Sequence, residues 1–319
     1  MKAEGGHTPE AAASPAIKTR RLSRSFGDAR AVAGLDLLVH RGEMFGLVGP
    51  DGAGKSTAIR LLCGILKPDA GEAHVLGFDL FRETGPIKSR IGYLSQNFTL
   101  YGDLTIDENI EFFADLHGVS GFQARRNELL EFTRLAPFRR RLAQALSGGM
   151  KKKLALACTL IHRPELILLD EPSTGVDPVS RGEFWNILSG ILAQGVTILM
   201  TTPYLDEAER CGRIGLMHGG RLFMIGTPGE IRAAMPGHVY EVACPAPARA
   251  YRVLRRRWSS ANVVLYADRL RLAFREGEAT LAEARGLLEV EGCGPVRTSE
   301  AAPSLEDAFV GLLGEGSSI

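Results

Sequence analysis

The densest chemical signal in this chain is the run Gly49-Pro50-Asp51-Gly52-Ala53-Gly54-Lys55-Ser56-Thr57. Glycines at these intervals let a backbone curl until several N–H groups aim at one point, a path that a Cβ would obstruct. Lys55 adds a compact positive charge, and the Ser56 hydroxyl is of the kind that binds Mg2+. The pattern G-x-x-x-x-G-K-[ST] carries meaning only after a strand and at the opening of a helix, where the helix N-terminus adds positive potential. Here it follows the apolar run Met44-Phe45-Gly46-Leu47-Val48. It precedes a helix expected from about Ser56 to Leu66, with Ile59, Leu62, Cys63 and Leu66 on one face. These residues predict a cradle for the β- and γ-phosphates of a nucleoside triphosphate.

A second group follows in Leu166-Ile167-Leu168-Leu169-Asp170-Glu171-Pro172. Four apolar residues make a central strand with two carboxylates at its C-terminal end, where open α/β sheets bind ligands. Asp170 can hold Mg2+ through water, and Glu171 can polarise a water for in-line displacement of a γ-phosphate. Alone the pair is weak, because an acidic pair capping a strand is common; downstream of the glycine loop it is strong. A third group is Leu146-Ser147-Gly148-Gly149-Met150, followed by three lysines. Ser147 and two glycines before a helix make a second anion-binding helix start.

These groups need a scaffold that brings distant segments together. Strand-like and helix-like stretches alternate through a glycine-punctuated chain, which argues for an α/β sheet. Helices are expected over most of Leu104–Leu146, Met150–Ile161, Glu183–Leu192 and Asp206–Cys211, with strands at Leu166–Leu169, Val196–Met200 and Ile214–Met217. After Pro236 the texture changes. A β-α-β-β-α-β-α order suggests a small ferredoxin-like layer, with a hairpin around Ala267-Asp268-Arg269. The expected divisions are a disordered tail over 1–16, a nucleotide-binding domain over 17–235 with a helical subdomain at about 98–150, and an accessory domain over 237–319.

Composition narrows the function. The 319 residues are 45% hydrophobic and 24% charged, and the net charge is +1. Bulk electrostatics therefore favour neither nucleic acid nor anionic lipid. The five cysteines are scattered without C-x-x-C spacing, against a disulfide framework or zinc site; Cys63 and Cys158 read as buried fillers. There is no apolar run of about 18 residues, and Met1–Pro15 lacks the basic-then-apolar order of a secretory signal.

With these motifs in this order, the chain resembles ABC-type ATPases, and specifically the ATP-binding subunits of bacterial ABC-2-type exporters, over about Ile17–Met235. The resemblance implies an α/β fold: a P-loop NTPase core of ABC type with a helical subdomain, plus a small α+β C-terminal domain. Gly49–Ser56 is similar to the Walker A loop and Leu166–Glu171 to the Walker B strand. Leu146–Met150 resembles the signature sequence, with Ser147, Gly148 and Gly149 facing a partner's ATP. Ser173-Thr174-Gly175-Val176-Asp177 resembles the D-loop. Gln96, in Gly92-Tyr93-Leu94-Ser95-Gln96, resembles the glutamine that touches Mg2+ and water. Phe26 resembles the aromatic that stacks on adenine, as an aromatic near a purine would.

The implied cofactors are ATP and Mg2+. The implied partners are a second ABC ATPase subunit, in a homo- or heterodimer, and integral membrane permease subunits; direct nucleic-acid contact is not expected. The implied place is the cytoplasmic face of the inner membrane, as a peripheral subunit. The helical insert would receive the permease, with Phe98, Phe112 and Phe113 as groove-lining candidates, although core packing accounts for them equally well.

One departure matters. After the strand Val196–Met200 the family carries a histidine, but this chain reads Thr201-Thr202-Pro203-Tyr204. Pro203 has neither a side-chain donor nor a backbone N–H. The site is then either a slow ATPase in a homodimer or the degenerate half of a pair. Asp51 stands where the family usually has Asn. Rival readings are an ABC-type ATPase acting on ribosomes or DNA, and a regulatory ATP-binding subunit with negligible turnover. The first rival would need tandem domains or long coiled-coil arms, and neither is present. In the C-terminal part, Arg255-Arg256-Arg257 reads as a solvated helix face.

Overall fold

The computed structural model describes residues 14–97, 100–258, 263–266, 268–274 and 281–316. Most of the expected tail lies outside the described residues, as do Phe98 and Ala267. The chain forms two compact units divided between Ile225 and Gly226.

The first unit is built on a six-stranded sheet in the order Arg221–Gly226, Arg213–His218, Met44–Val48, Thr197–Thr202, Leu166–Asp170, Ile91–Leu94. The pairings from Arg213–His218 through Ile91–Leu94 are all parallel. Every residue of the three central strands is buried. That is the property required of parallel strands covered on both faces, and it explains their unbroken apolar sequences. Parallel pairing sends the C-terminal ends of these strands to the same edge. Residues 49, 170 and 202 therefore emerge side by side, with Thr197–Thr202 between the glycine-loop strand and the acidic strand.

A second, antiparallel sheet runs in the order Ala29–Leu35, Ile17–Phe26, Ala70–Val75, Phe78–Asp79, and Leu38–Val39 also pairs with Ile17–Phe26. Ile17, Leu22, Leu35 and Val75 of this sheet share one core with Phe45, Leu47, Ile59, Leu62, Leu166 and Leu199. Two sheets and the helix Lys55–Leu62 thus enclose a single apolar interior, which fixes the glycine loop from behind.

The helical stretch expected over Leu104–Leu146 is broken into Ile106–Leu116, Gln123–Phe132 and two short 3-10 turns. Gly118 and Gly121, both at positive φ, make the break. The first of these helices starts at a capping box. Thr105 Oγ1 accepts from the Glu108 amide at 3.2 Å, and Glu108 Oε2 accepts from the Thr105 amide at 2.7 Å. Further along, after helix Gly148–Leu160, a helix spans Pro178–Ala193, longer than the expected Glu183–Leu192. The Asp177-Pro178 pair supplies both a side-chain cap and a residue preset for the first turn. Ile91–Leu94, Arg221–Gly226 and Pro228–Ala233 are elements that the pattern reading did not assign.

The second unit is a four-stranded antiparallel sheet in the order Val263–Tyr266, Arg269–Phe274, His238–Ala243, Arg297–Ala301. With helices Pro247–Arg257 and Leu281–Val290 in the connections, this is the ferredoxin-like order. Its core gathers Val242, Ala250, Leu254, Leu270, Leu272, Phe274, Ala284 and Leu288. The unit begins ahead of the boundary expected near Pro236. The reason is that Ile231 and Met235 are buried and that Pro228–Ala233 packs on Leu305–Gly316.

Candidate functional site

The loop after Met44–Val48 holds its shape through close backbone approaches. A Cβ on Gly49 would stand 2.1 Å from the Met217 carbonyl oxygen. One on Gly54, at φ +100°, would stand 2.0 Å from that of Ala31. Only glycine fits at either place. Lys55 opens the helix and is 3% exposed. Its Nζ donates to the carbonyls of Gly49 at 2.8 Å and Pro50 at 3.0 Å, and lies 3.4 Å from Glu171 Oε1. The ammonium is thus held over the loop mouth by three oxygens.

Asp170 is fully buried at the end of its strand. Its Oδ1 accepts from Ser56 Oγ and from Thr201 Oγ1, both at 2.8 Å, while Oδ2 is buried without a hydrogen-bond partner. A buried carboxylate oxygen left without a partner is costly, and a hydroxyl beside it completes a hard-oxygen donor set. These residues fit Mg2+, which coordinates through oxygen. Among the described residues no three His, Cys, Asp or Glu side chains cluster to hold a metal, so such an ion would need phosphate oxygens as further ligands.

Glu171 sits at φ +47°, a left-handed conformation that costs a non-glycine residue about 1–3 kcal/mol. The Thr201 hydroxyl accepts from its amide at 3.0 Å. Glu171 Oε2 accepts from Gln96 Nε2 at 2.8 Å and lies 3.5 Å from Thr174 Oγ1. Gln96 is tied back by Lys152, whose Nζ donates to the Gln96 carbonyl at 2.9 Å. Burial pulls the Lys152 ammonium below its ordinary pKa, and the charges of Asp170 and Glu171 oppose that shift.

A cavity of about 510 Å³ is lined by Asp51, Gly52, Lys55, Ser56, Gln96 and Glu171, with Thr174, Pro203 and Tyr204 at its side. Most sequence-predicted site residues therefore meet here. Pro203 stands at the wall, with no donor to offer. His218 is exposed at the end of its strand and is not among the lining residues. Thr201 and Lys152 are the contributions that sequence reading missed. Only the register Asp170↔Thr201 and the packing of helix Gly148–Leu160 place them.

Three predicted groups lie apart from this cavity. Phe26 is exposed at the tip of the hairpin joining Ile17–Phe26 to Ala29–Leu35, with the Arg24 guanidinium 4.9 Å from its ring centre. Ser147 caps helix Gly148–Leu160, its Oγ accepting from the Met150 amide at 3.3 Å. A Cβ on Gly149 would stand 2.3 Å from Ser180 Oγ, so this helix start packs closely on Pro178–Ala193. Asp177 Oδ1 accepts from the Ser180 amide at 3.0 Å, and that bond holds its carboxyl below the usual range.

A separate apolar groove is lined by Cys63, Ile65, Tyr93, Phe113, His117 and His162. Phe113 belongs to it. Phe112 instead packs against Tyr101, with ring centres 4.5 Å apart and the planes tilted by 59°. Burial pushes the Cys63 and Cys158 thiols well up, as fits side chains that fill the core.

A parallel sheet that presents a glycine loop, a buried lysine and an acidic strand end at one edge defines a P-loop nucleotide-binding domain. A profile of the ABC transporter family matches residues 32–174. The chain is 44% identical over 293 residues to the probable multidrug ABC transporter ATP-binding protein YbhF of Escherichia coli (strain K12), covering 90% of this chain and 50% of that protein. It is 36% identical over 313 residues to the daunorubicin/doxorubicin resistance ATP-binding protein DrrA of Streptomyces peucetius, covering 94% and 92%. It also matches a dimeric ATP-binding cassette solved in a post-hydrolysis state with ADP and Pi, with a TM-score of 0.60 and 25% identity. That match covers 66% of this chain and 98% of that one. The chain belongs to the ABC transporter ATP-binding proteins. It spans about half the length of the Escherichia coli relative.

Proposed function

We propose that this chain binds ATP with Mg2+ in the Gly49–Thr57 loop and hydrolyses it to energise a membrane exporter. The observation that carries this reading is the meeting of Lys55, Ser56, Gln96 and Glu171 around one cavity from segments far apart in sequence, with buried Asp170 bonded to Ser56 behind it. Phosphate oxygens entering the loop would take over the Lys55 ammonium, which now bonds to two loop carbonyls and Glu171. Glu171 would then be released toward a water, with Gln96 orienting it as a hydrogen-bond donor. Ser56, Asp170 and Gln96 would hold Mg2+, which neutralises charge on the phosphates when bound. Phe26, at its hairpin tip, offers one ring face to Arg24 and the other to an adenine.

Ser147, Gly148, Gly149 and Asp177 would serve the ATP of a second ABC ATPase subunit, because they do not line this chain's own cavity. The dimeric cassette among the solved relatives supports that pairing. Pro203 makes the site a slow one, whether the second subunit is another copy or a different chain. Among the described residues no helix is long and apolar enough to cross a membrane, so permease subunits would provide the path. The groove at Phe113 and Tyr93 is where a permease would dock, from the cytoplasmic face of the membrane. The C-terminal unit would stabilise or regulate the dimer. Relatives named for multidrug and daunorubicin resistance support export rather than action on nucleic acid.

Affinity purification from membranes tests the transport part. Recovery of a multi-helix membrane protein, released by substitutions in the Phe113 groove, is the expected result. Recovery of ribosomes or DNA instead would refute it.

A further inference from the structure

Glu207 is a carboxylate that the mechanism above does not use, and it is 1% exposed. It lies on the short helix Leu205–Ala208, just beyond the loop that carries Pro203 and Tyr204. Its two oxygens face two different loops. Oε2 accepts from Thr202 Oγ1 at 2.7 Å, and Oε1 accepts from Ser173 Oγ. The Thr202 hydroxyl in turn accepts from the Tyr204 amide at 3.0 Å. An unbroken chain of hydrogen bonds thus runs from the Tyr204 backbone through Thr202 and Glu207 to Ser173.

Each end of this chain is tied to a functional segment. The Thr202 carbonyl accepts from the Gly49 amide at 3.4 Å, at the root of the phosphate loop. Pro203 and Tyr204 line the nucleotide cavity. Ser173 begins the segment that ends at Asp177, the cap of helix Pro178–Ala193. Arg181 of that helix sits 3.7 Å from Glu207 Oε1, and its guanidinium lies 5.3 Å from the Tyr204 ring centre. Its Nε is buried with no hydrogen-bond partner, so its charge acts here through the carboxylate and the ring. A buried carboxylate is retained only where fixed donors and a cation replace its water shell. Here those donors come one from each loop.

We propose that Glu207 is a positioning residue that transmits nucleotide occupancy from the Pro203–Tyr204 wall to the Ser173–Asp177 segment. This rests on the ATP-binding reading above. Proline at 203 removes a side-chain contact with the nucleotide, so the backbone of this wall must carry the signal, and the Tyr204 amide is the backbone group tied to Glu207. Such a link would couple the two segments through one shared set of hydrogen bonds.

Amide hydrogen exchange of the full chain, with and without ATP and Mg2+, tests it without requiring turnover. In the unsubstituted protein, ATP should slow exchange at residues 50–57, at 201–205 and at 173–177. In Glu207→Leu the slowing at 50–57 should persist, while that at 173–177 falls by about tenfold. Ser173→Ala, a minimal change, should give the same loss and decides the matter where Glu207→Leu fails to fold. A merely structural Glu207 would lower the melting temperature yet leave the ATP-dependent slowing at 173–177 intact, and that result overturns the proposal. So does slowing at 50–57 but none at 173–177 in the unsubstituted chain. Absence of any slowing at 50–57 would instead strike down the ATP-binding reading itself.

Discussion

Ser56 Oγ donates to Asp170 Oδ1 at 2.8 Å, although 114 residues separate them in sequence. The bond joins the first helical turn after the glycine loop to the end of the acidic strand, and it leaves Asp170 Oδ2 buried and free. This hydroxyl–carboxylate pair is the arrangement from which Mg2+ binding is inferred. Asp170→Asn retains an acceptor for Ser56 and Thr201 but removes the charge. Titration of ATP with and without Mg2+ should show the magnesium-dependent part of the affinity reduced by about 10–100-fold. Metal-free binding should be little changed. An equal loss in both conditions would mean that Asp170 is only a structural anchor.

Glu171 and Pro203 bound the rate of hydrolysis from two sides. Glu171→Gln should keep ATP affinity and lower turnover by about 10²–10⁴-fold, the usual contribution of a positioned base. Pro203→His restores a side-chain donor at the cavity wall, where a single donor is worth about 10²-fold or more in a preorganised site. Phosphate-release assays on purified chains measure both. An unchanged rate in Pro203→His would place the limit on turnover elsewhere.

The two stacked histidines of the apolar groove give a pH dependence. His117 and His162 lie with ring centres 3.9 Å apart. Burial, then the charge of His117, pushes His162 down to about 4, against the support of its bond to the Ile91 carbonyl. A folded-state pKa below the ordinary 6.5 means that the unfolded chain binds more protons between those values. Stability from this group is complete above pH 6.5 and is lost as pH falls toward 4. Thermal melts across that range should show a decline that is shallower in His162→Asn. Equal slopes would remove His162 as the source.

The site residues that lie on one continuous segment were legible in the sequence. Lys55 and Ser56 follow a strand and open a helix, and Asp170 and Glu171 end an apolar run, so local pattern and chemistry agree. What sequence left hidden is carried by tertiary register. Thr201 reaches Asp170 only because their strands pair in parallel. Lys152 reads as one of three lysines until its helix brings it to Gln96. Glu207 looks like a surface acid on a short polar helix, yet it is buried between two loops. In the helical insert, the apolar periodicity concealed a break at Gly118 and Gly121, because helical spacing resumes on its far side. The second unit's strand order was suggested by the alternation of its elements. Its start was misplaced because Pro228–Ala233 has no long apolar face to announce it.

On this reading the backbone at Gly52–Ser56 grips the terminal phosphates of ATP, with Lys55 as the charge that makes the grip strong. Calorimetric titration of the full chain with ATP and Mg2+, repeated on Lys55→Ala, tests it most directly. The unsubstituted protein should give saturable heat. In the variant the affinity should be at least about tenfold weaker, the scale of a charge-assisted contact to phosphate. No heat in the unsubstituted chain, or full affinity in Lys55→Ala, would contradict it.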